Sequence, residues 1–196
     1  MKFDHKWDLQ WYEDRLKGRE GTFDCVAETL MKLNCHGVID VGGGAGLLRR
    51  FIPPWMLLTV VDRSPSSKLA GEKLFPDVNF ITGEIDDVPG NRDAVVGIQL
   101  VEHMNGYEKF LKSAWDKANK VVIVSFRNGL DGHEKIELQR KCNDYWDNTY
   151  SGENLFRWIY QEFHLSEMTV NAVDVSRDYS PELVLVLEKG LANAKS

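Results

Sequence analysis

Short apolar runs alternate with helical stripes along most of the chain. Val38-Ile39-Asp40-Val41 is apolar and β-branched apart from one acid, and Leu57-Leu58-Thr59-Val60-Val61-Asp62, Val78-Asn79-Phe80-Ile81-Thr82 and Ala94-Val95-Val96-Gly97-Ile98 share that character. The run from Lys120 to Phe126, with Val-Val-Ile-Val at its centre, makes a fifth. Near-continuous apolar runs of this length are what strands buried on both faces require. Between them the apolar positions recur at helical spacing. Phe23, Val26, Ala27, Leu30 and Met31 make one such face, with Gly37 placed as a left-handed C-terminal cap, and Phe110, Leu111, Ala114, Trp115 and Ala118 make another within Tyr107 to Ala118. Ser64 before Pro65 reads as a helix start, hydroxyl cap followed by proline in the first turn. Gly42-Gly43-Gly44-Ala45-Gly46 turns the chain from the first strand into a helix that Pro53-Pro54 ends. Strand and helix in alternation predict a parallel, doubly wound α/β sheet.

The two ends break this rhythm. Met168 to Val175 and Glu182 to Glu188 are strand-like runs joined by a short segment containing Asp178, Ser180 and Pro181, too short for a helical crossover, so an antiparallel hairpin is expected. Before it, Ser151 caps a helix with Leu155, Ile159 and Phe163 on one face. The longest insertion, Arg127 to Tyr150, holds His133, Tyr145, Trp146 and Tyr150 beside Arg127, Arg140 and Lys141. That mixture suits a pocket for a polar small molecule, or else a surface helix over Glu134 to Cys142 with solvated charges. Residues 7 to 19 form a helix in which Trp7, Trp11 and Tyr12 are either core or a lid. The expected organisation is an N-terminal lid or extension over 1–22, one domain over 23–190 and a polar tail over 191–196.

Composition narrows the function classes. A length of 196 residues supports one sizeable core. The net charge of -6 and pI near 5.4 give no broad footprint for a nucleic acid, which is not expected as a partner. Met1 to Asp8 is charged where a signal peptide would be apolar, and no run reaches membrane-spanning length, so a cytoplasmic protein without a membrane partner is expected. Cys25, Cys35 and Cys142 lack a C-x-x-C spacing and read as reduced thiols. His5, His36, His103, His133 and His164 show no ligand spacing, so no metal is expected.

The chemistry concentrates at the first strand-to-helix turn. In a doubly wound sheet, ligands sit beyond the carboxyl ends of the strands, where a glycine turn lets backbone N–H groups approach them. Gly42, Gly44 and Gly46 meet that need. Their spacing is D-x-G-x-G-x-G from Asp40, whereas the dinucleotide pattern G-x-G-x-x-G would need glycine where Leu47 stands. Asp62, at the end of the second strand, is placed for a carboxylate that accepts from both hydroxyls of a ribose. NAD and S-adenosylmethionine (SAM) both offer that ribose.

Val38 to Gly46 resembles motif I of the class I SAM-dependent methyltransferases. Asp93 to Met104, with its Glu102-His103 pair, resembles the fourth-strand motif of their small-molecule branch, and Thr82-Gly83-Glu84 resembles the end of their third strand. The terminal hairpin agrees with the family's reversed seventh strand beside the sixth. The similarity spans about residues 23 to 188 and implies a Rossmann-like seven-stranded sheet, mostly parallel with an antiparallel C-terminal hairpin, and SAM as cofactor with S-adenosylhomocysteine (SAH) as product. By resemblance, Gly42, Gly44 and Gly46 line the methionine end, Asp40 supports the turn or the cofactor ammonium, and Asp62 holds the ribose. Arg63 then lies against the adenine face, Glu84 and Ile85 flank the adenine edge, and Gln99 and Leu100 meet the methionine moiety and face the acceptor. The family usually has aspartate where Glu84 stands and often an apolar residue where Arg63 stands.

A sulfonium methyl is already activated, so the protein has to align an acceptor lone pair and exclude water. An oxygen acceptor wants a base, and His103 is the candidate, the other reading being a histidine that packs or caps at a helix start. Tyr145, Trp146 and Tyr150 are the candidate substrate contacts. The expected activity is methyl transfer to O or N of a small molecule. The alternatives are a protein or nucleic-acid methyltransferase, and a nicotinamide-dependent oxidoreductase or non-catalytic binding module. Neither the acceptor nor the oligomeric state is legible.

Overall fold

A computed structural model describes residue 16 and residues 19–126, 130–131, 138–142, 145–163, 168–175 and 182–190. Its strands are β1 (Gly37–Val41), β2 (Leu57–Asp62), β3 (Asn79–Thr82), β4 (Arg92–Gly97), β5 (Ala118–Phe126), β6 (Leu130–Asp131), β7 (Leu138–Cys142), β8 (Tyr145–Ser151), β9 (Met168–Asp174) and β10 (Leu183–Lys189). The helices are α1 (Glu20–Lys32), α2 (Pro65–Leu74), α3 (Glu108–Lys117) and α4 (Gly152–Glu162).

Seven strands form one sheet in the order β3-β2-β1-β4-β5-β10-β9. The first five are mutually parallel. β10 runs antiparallel to both β5 and β9, as the short link between the last two strands required. The order reverses between β1 and β4, which is the topological switch point of the sheet.

Side-chain alternation explains why the strand sequences are apolar throughout. Val122 and Val124 of β5, with Leu185 and Leu187 of β10, join Phe110, Leu111 and Ala114 of α3 and Leu155 and Ile159 of α4 on one face. Val121 and Ile123, with Val184 and Val186, join Val26, Ala27 and Leu30 of α1 on the other. Each such Val, Leu, Ile or Phe side chain contributes roughly 1.5–3 kcal/mol by leaving water. α2 starts where Ser64 Oγ accepts from the Ser67 amide at 3.3 Å, with Pro65 in its first turn. Ser151 Oγ likewise accepts from the Asn154 amide at 3.3 Å and opens α4.

Three local expectations give way. Gly37 is the buried first residue of β1 rather than a helix cap, and the left-handed turn after α1 falls on Asn34, with φ 51°. Asparagine tolerates that conformation because its short polar side chain relieves part of the backbone cost. The glycine turn leads into a single 3-10 turn, Leu47–Arg50, and not a longer helix. Pro53 lacks the amide to continue it and disfavours helical backbone at Ile52. Residues 138–142, read alternatively as part of a surface helix, form β7, paired antiparallel with β8 from Leu138 opposite Thr149 to Cys142 opposite Tyr145. The β-prone Tyr, Trp and Thr residues of β8 supply a partner strand, and pairing overrides a weak local helical pattern. β6, β8 and β7 thus make a small second sheet inserted between β5 and α4. Trp7, Trp11, Tyr12, Arg127 and His133 lie outside the described residues, as do 191–196.

Candidate active site

The switch point is built from the ends of β1, β2 and β4. Gly42, Gly44 and Gly46 all have positive φ, at 66°, 56° and 77°. A side chain on Gly42 would place its Cβ 2.6 Å from Leu100 Cδ1, so the turn after β1 and the turn after β4 touch through a gap that only glycine leaves. The Gly42 amide donates to the Val61 carbonyl at 2.7 Å and fixes the start of the turn against β2.

Asp62 holds the rest of it. One carboxylate oxygen accepts from the Gly44 amide at 3.0 Å and the other from the Ser64 amide at 2.8 Å. Burial raises the Asp62 pKa, while those two amides and Arg63 act in the opposite direction. A carboxylate has roughly four acceptor positions, and two remain after these bonds. Asp40 lies beneath the turn, 2% exposed, with its Oδ1 buried and bonded to no group among the described residues. A Cβ on Gly43 would sit 2.3 Å from the Asp40 Oδ2. Burial, and then the charge of Asp62, push the Asp40 carboxyl up to about 7.

The tips of β2 and β3 are bridged by Arg63, whose guanidinium donates to Glu84 Oε1 at 2.9 Å in an exposed pair. The Glu84 amide donates to Asp87 Oδ2 at 2.8 Å and opens a 3-10 turn that buries Ile85. Asp62, Arg63, Glu84 and Ile85 therefore follow neighbouring strands at one edge of the site.

Gln99 has φ 51°, a conformation uncommon for a residue with a Cβ. Its amide donates to Ser125 Oγ at 2.9 Å on β5 and its Nε2 to Glu182 Oε1 at 3.1 Å just before β10. The Gln99 side chain is thus engaged by Glu182 just ahead of β10, whereas Leu100 is the residue that meets the glycine turn. His103 ends a 3-10 turn, Val101–His103, half-buried, with Glu102 buried beside it.

Tyr150 departs from the expected pocket lining. It is 3% exposed, edge-on to Tyr107 at 5.0 Å between ring centroids, and its hydroxyl donates to the Val101 carbonyl at 2.9 Å. Tyr145 and Trp146 lie in β8, so the insertion they belong to does pack against the end of β4.

Sequence reasoning missed Ser125, Glu182 and Asn148. Ser125 sat inside an apolar strand run and Glu182 opened another, where a polar residue reads as edge or solvent. For Asn148 a signal was present: two residues before Tyr150 in a strand, it shares a face with it.

Neither a protein-family model nor a curated protein sequence matches the chain. Solved structures match its architecture, which is the class I SAM-dependent methyltransferase fold. Magnesium protoporphyrin IX methyltransferase (ChlM) from Synechocystis PCC 6803 with bound SAM superposes with a TM-score of 0.68 at 14% identity, over 95% of this chain and 86% of that one. The plantazolicin methyltransferase BpumL, in complex with a pentazolic desmethylPZN analog and SAH, gives 0.69 at 13% identity over 91% and 88%. An SAM-dependent methyltransferase from Clostridium acetobutylicum ATCC 824 gives 0.65 at 13% identity, over 87% and 92%.

Proposed function

We propose that the chain is an SAM-dependent methyltransferase acting on O or N of a small molecule. The observation that carries this reading is the paired acids at the switch point, Asp62 engaged by the Gly44 amide and Asp40 buried beneath the turn with an acceptor atom that meets no donor among the described residues. A cationic, ribose-bearing ligand fits that pair of acceptors. Asp62 offers its remaining acceptor positions to ribose hydroxyls, and Asp40 offers a buried carboxyl whose ionised form a nearby ammonium or sulfonium would favour. Arg63 and Ile85 would sandwich a planar base, with Glu84 fixing the guanidinium. Leu100 and the Gln99 backbone would border the methionine end. When bound, SAM supplies an activated methyl group, and the protein has to orient the acceptor and keep water out.

His103 is the residue placed to take a proton from an acceptor, and Glu102 adjoins it. The inserted β6–β8 sheet would border the acceptor, with Tyr145 and Trp146 as its aromatic contribution. By their names the ChlM and BpumL structures concern magnesium protoporphyrin IX and plantazolicin as methyl acceptors, which favours a small-molecule acceptor here. No helix among the described residues is long and apolar enough to cross a membrane. Free Cys25 and Cys35 accord with a reducing, cytosolic setting.

Calorimetric titration with SAM, SAH and NAD tests the reading. Micromolar binding of the first two alone is expected; tight NAD binding with neither of the others would favour the nicotinamide alternative and sink this one.

A further inference from the structure

The end of β4 is held from two sides. On one, Gln99 is tied to Ser125 and Glu182; on the other, β8 reaches across to the turn that carries Glu102 and His103. Asn148 Nδ2 donates to the Met104 carbonyl at 2.7 Å and to the Tyr150 hydroxyl at 2.9 Å, and that hydroxyl donates in turn to the Val101 carbonyl at 2.9 Å. Val101 opens the 3-10 turn and Met104 caps it, so the two bonded carbonyls bracket Glu102 and His103.

This arrangement costs more than packing alone would require. Asn148 is 1% exposed, and its Oδ1 is buried with no partner among the described residues. The amide orientation is not arbitrary, because the Met104 carbonyl can only accept and therefore faces the nitrogen. Tyr150 sits among Tyr107, Phe126 and Leu155 in an apolar cluster where a phenylalanine ring would fill the same space. The hydroxyl and the amide add direction instead: they specify one placement of the turn relative to β8. A purely hydrophobic contact would tolerate sliding.

We propose that Asn148 and Tyr150 are positioning residues that lock the Val101–Met104 turn onto β8, so that Glu102 and His103 keep one geometry and the inserted sheet moves with the end of β4. Resting on the methyltransferase reading, this makes the insertion the element that sets where an acceptor lies relative to His103. Leu100, packed against Gly42, carries the same register to the glycine turn.

The test compares the full-length protein with Tyr150→Phe and Asn148→Ala. The imidazole C2 proton of His103, assigned with His103→Gln, is followed by NMR from pH 5 to 9, with His36 ahead of β1 as internal control. Both variants are expected to shift the His103 signal and its titration midpoint, to leave His36 in place, and to bind SAH within about twofold of wild type. Folded variants whose His103 titration superimposes on wild type overturn the proposal. Tyr150→Phe removes a single oxygen, so it decides the matter alone if Asn148→Ala does not fold. Failure of the wild-type protein to bind SAH overturns the cofactor reading, and with it the acceptor-placing role, whereas the His103 comparison still decides the lock itself.

Discussion

Asp40, one residue before the end of β1, and Asp62, the last residue of the neighbouring parallel β2, turn their carboxylates toward the same glycine turn, where the charge of Asp62 helps keep a proton on Asp40. Their surroundings differ in one respect that separates their roles. Asp62 is met by two backbone amides, whereas Asp40 keeps a buried oxygen without a donor among the described residues. Asp62 is therefore the anchor of the turn and Asp40 the group with unspent capacity.

The raised Asp40 pKa fixes a sign for stability. Its folded value is about 7 against an ordinary 3.8, so between those limits the native state binds more protons than the unfolded chain. Stability from this group is present below the lower value and is lost as pH rises through the window. Asp40→Asn lacks the term, so its thermal midpoint should gain on wild type from pH 4 to about 7.5 and then hold level. At about 1.4 kcal/mol per unit the gain is on the order of 4 kcal/mol. A difference between the two melting curves that does not change with pH would return Asp40 to an ordinary ionised state. In the same variant, a greater loss of affinity for SAM than for SAH would put Asp40 at the sulfonium, which SAM alone carries, and equal losses would put it at the ammonium, which both carry.

Asp62→Ala removes the acceptor of the Gly44 and Ser64 amides as well as the proposed ribose contact. SAH affinity should fall about 10- to 100-fold, equivalent to 1–3 kcal/mol for lost charged hydrogen bonds. Calorimetry beside a thermal melt separates the two effects. Unchanged affinity in a folded variant would remove Asp62 from the ligand site and leave it a strut of the turn.

The contact between Gly42 and Leu100 is open to a double-mutant cycle. Gly42→Ala must adopt φ near 66° and meets Leu100 Cδ1, so backbone strain of about 1–2 kcal/mol and overpacking of about 1–3 kcal/mol add. Leu100→Ala removes the obstacle but not the strain. Urea unfolding of the four proteins should show the double variant less destabilised than the two single changes summed. Simple additivity would mean that the turns after β1 and β4 do not touch in solution.

How far the sequence reaches follows from what each signal depends on. The strands of the large sheet were legible because burial on both faces writes an unbroken apolar run, and Ser64-Pro65 announced α2 because capping is local. The glycines and Asp62 were legible because their spacing is set by one turn between neighbouring strands. What failed depended on distant partners. Residues 138–142 became a strand only because β8 lies beside them. Tyr150 could not be told from a pocket aromatic because its hydroxyl partner, the Val101 carbonyl, is 49 positions away. The same holds for Glu182, which reaches Gln99 across 83 positions.

His103 allows the chemistry itself to be tested. It ends the turn after β4, half-buried, in a segment fixed from β5, β8 and β10, which is the placement a general base needs if it is not to lose catalysis to wandering. Oxygen acceptors need a proton removed as the methyl moves, whereas a neutral amine can attack first and lose its proton afterwards. On an acceptor found by screening, His103→Gln should lower turnover by about 10²- to 10⁴-fold if the acceptor is a hydroxyl, with SAH affinity unchanged. The fall in rate at acid pH should disappear in the same variant, since the group that must be deprotonated is gone. A comparable loss in kcat and kcat/KM would place the role in the transition state, and a change in KM alone would place it in acceptor binding. If turnover and pH profile both match wild type, His103 is a packing residue and proton removal falls to solvent or to the acceptor itself.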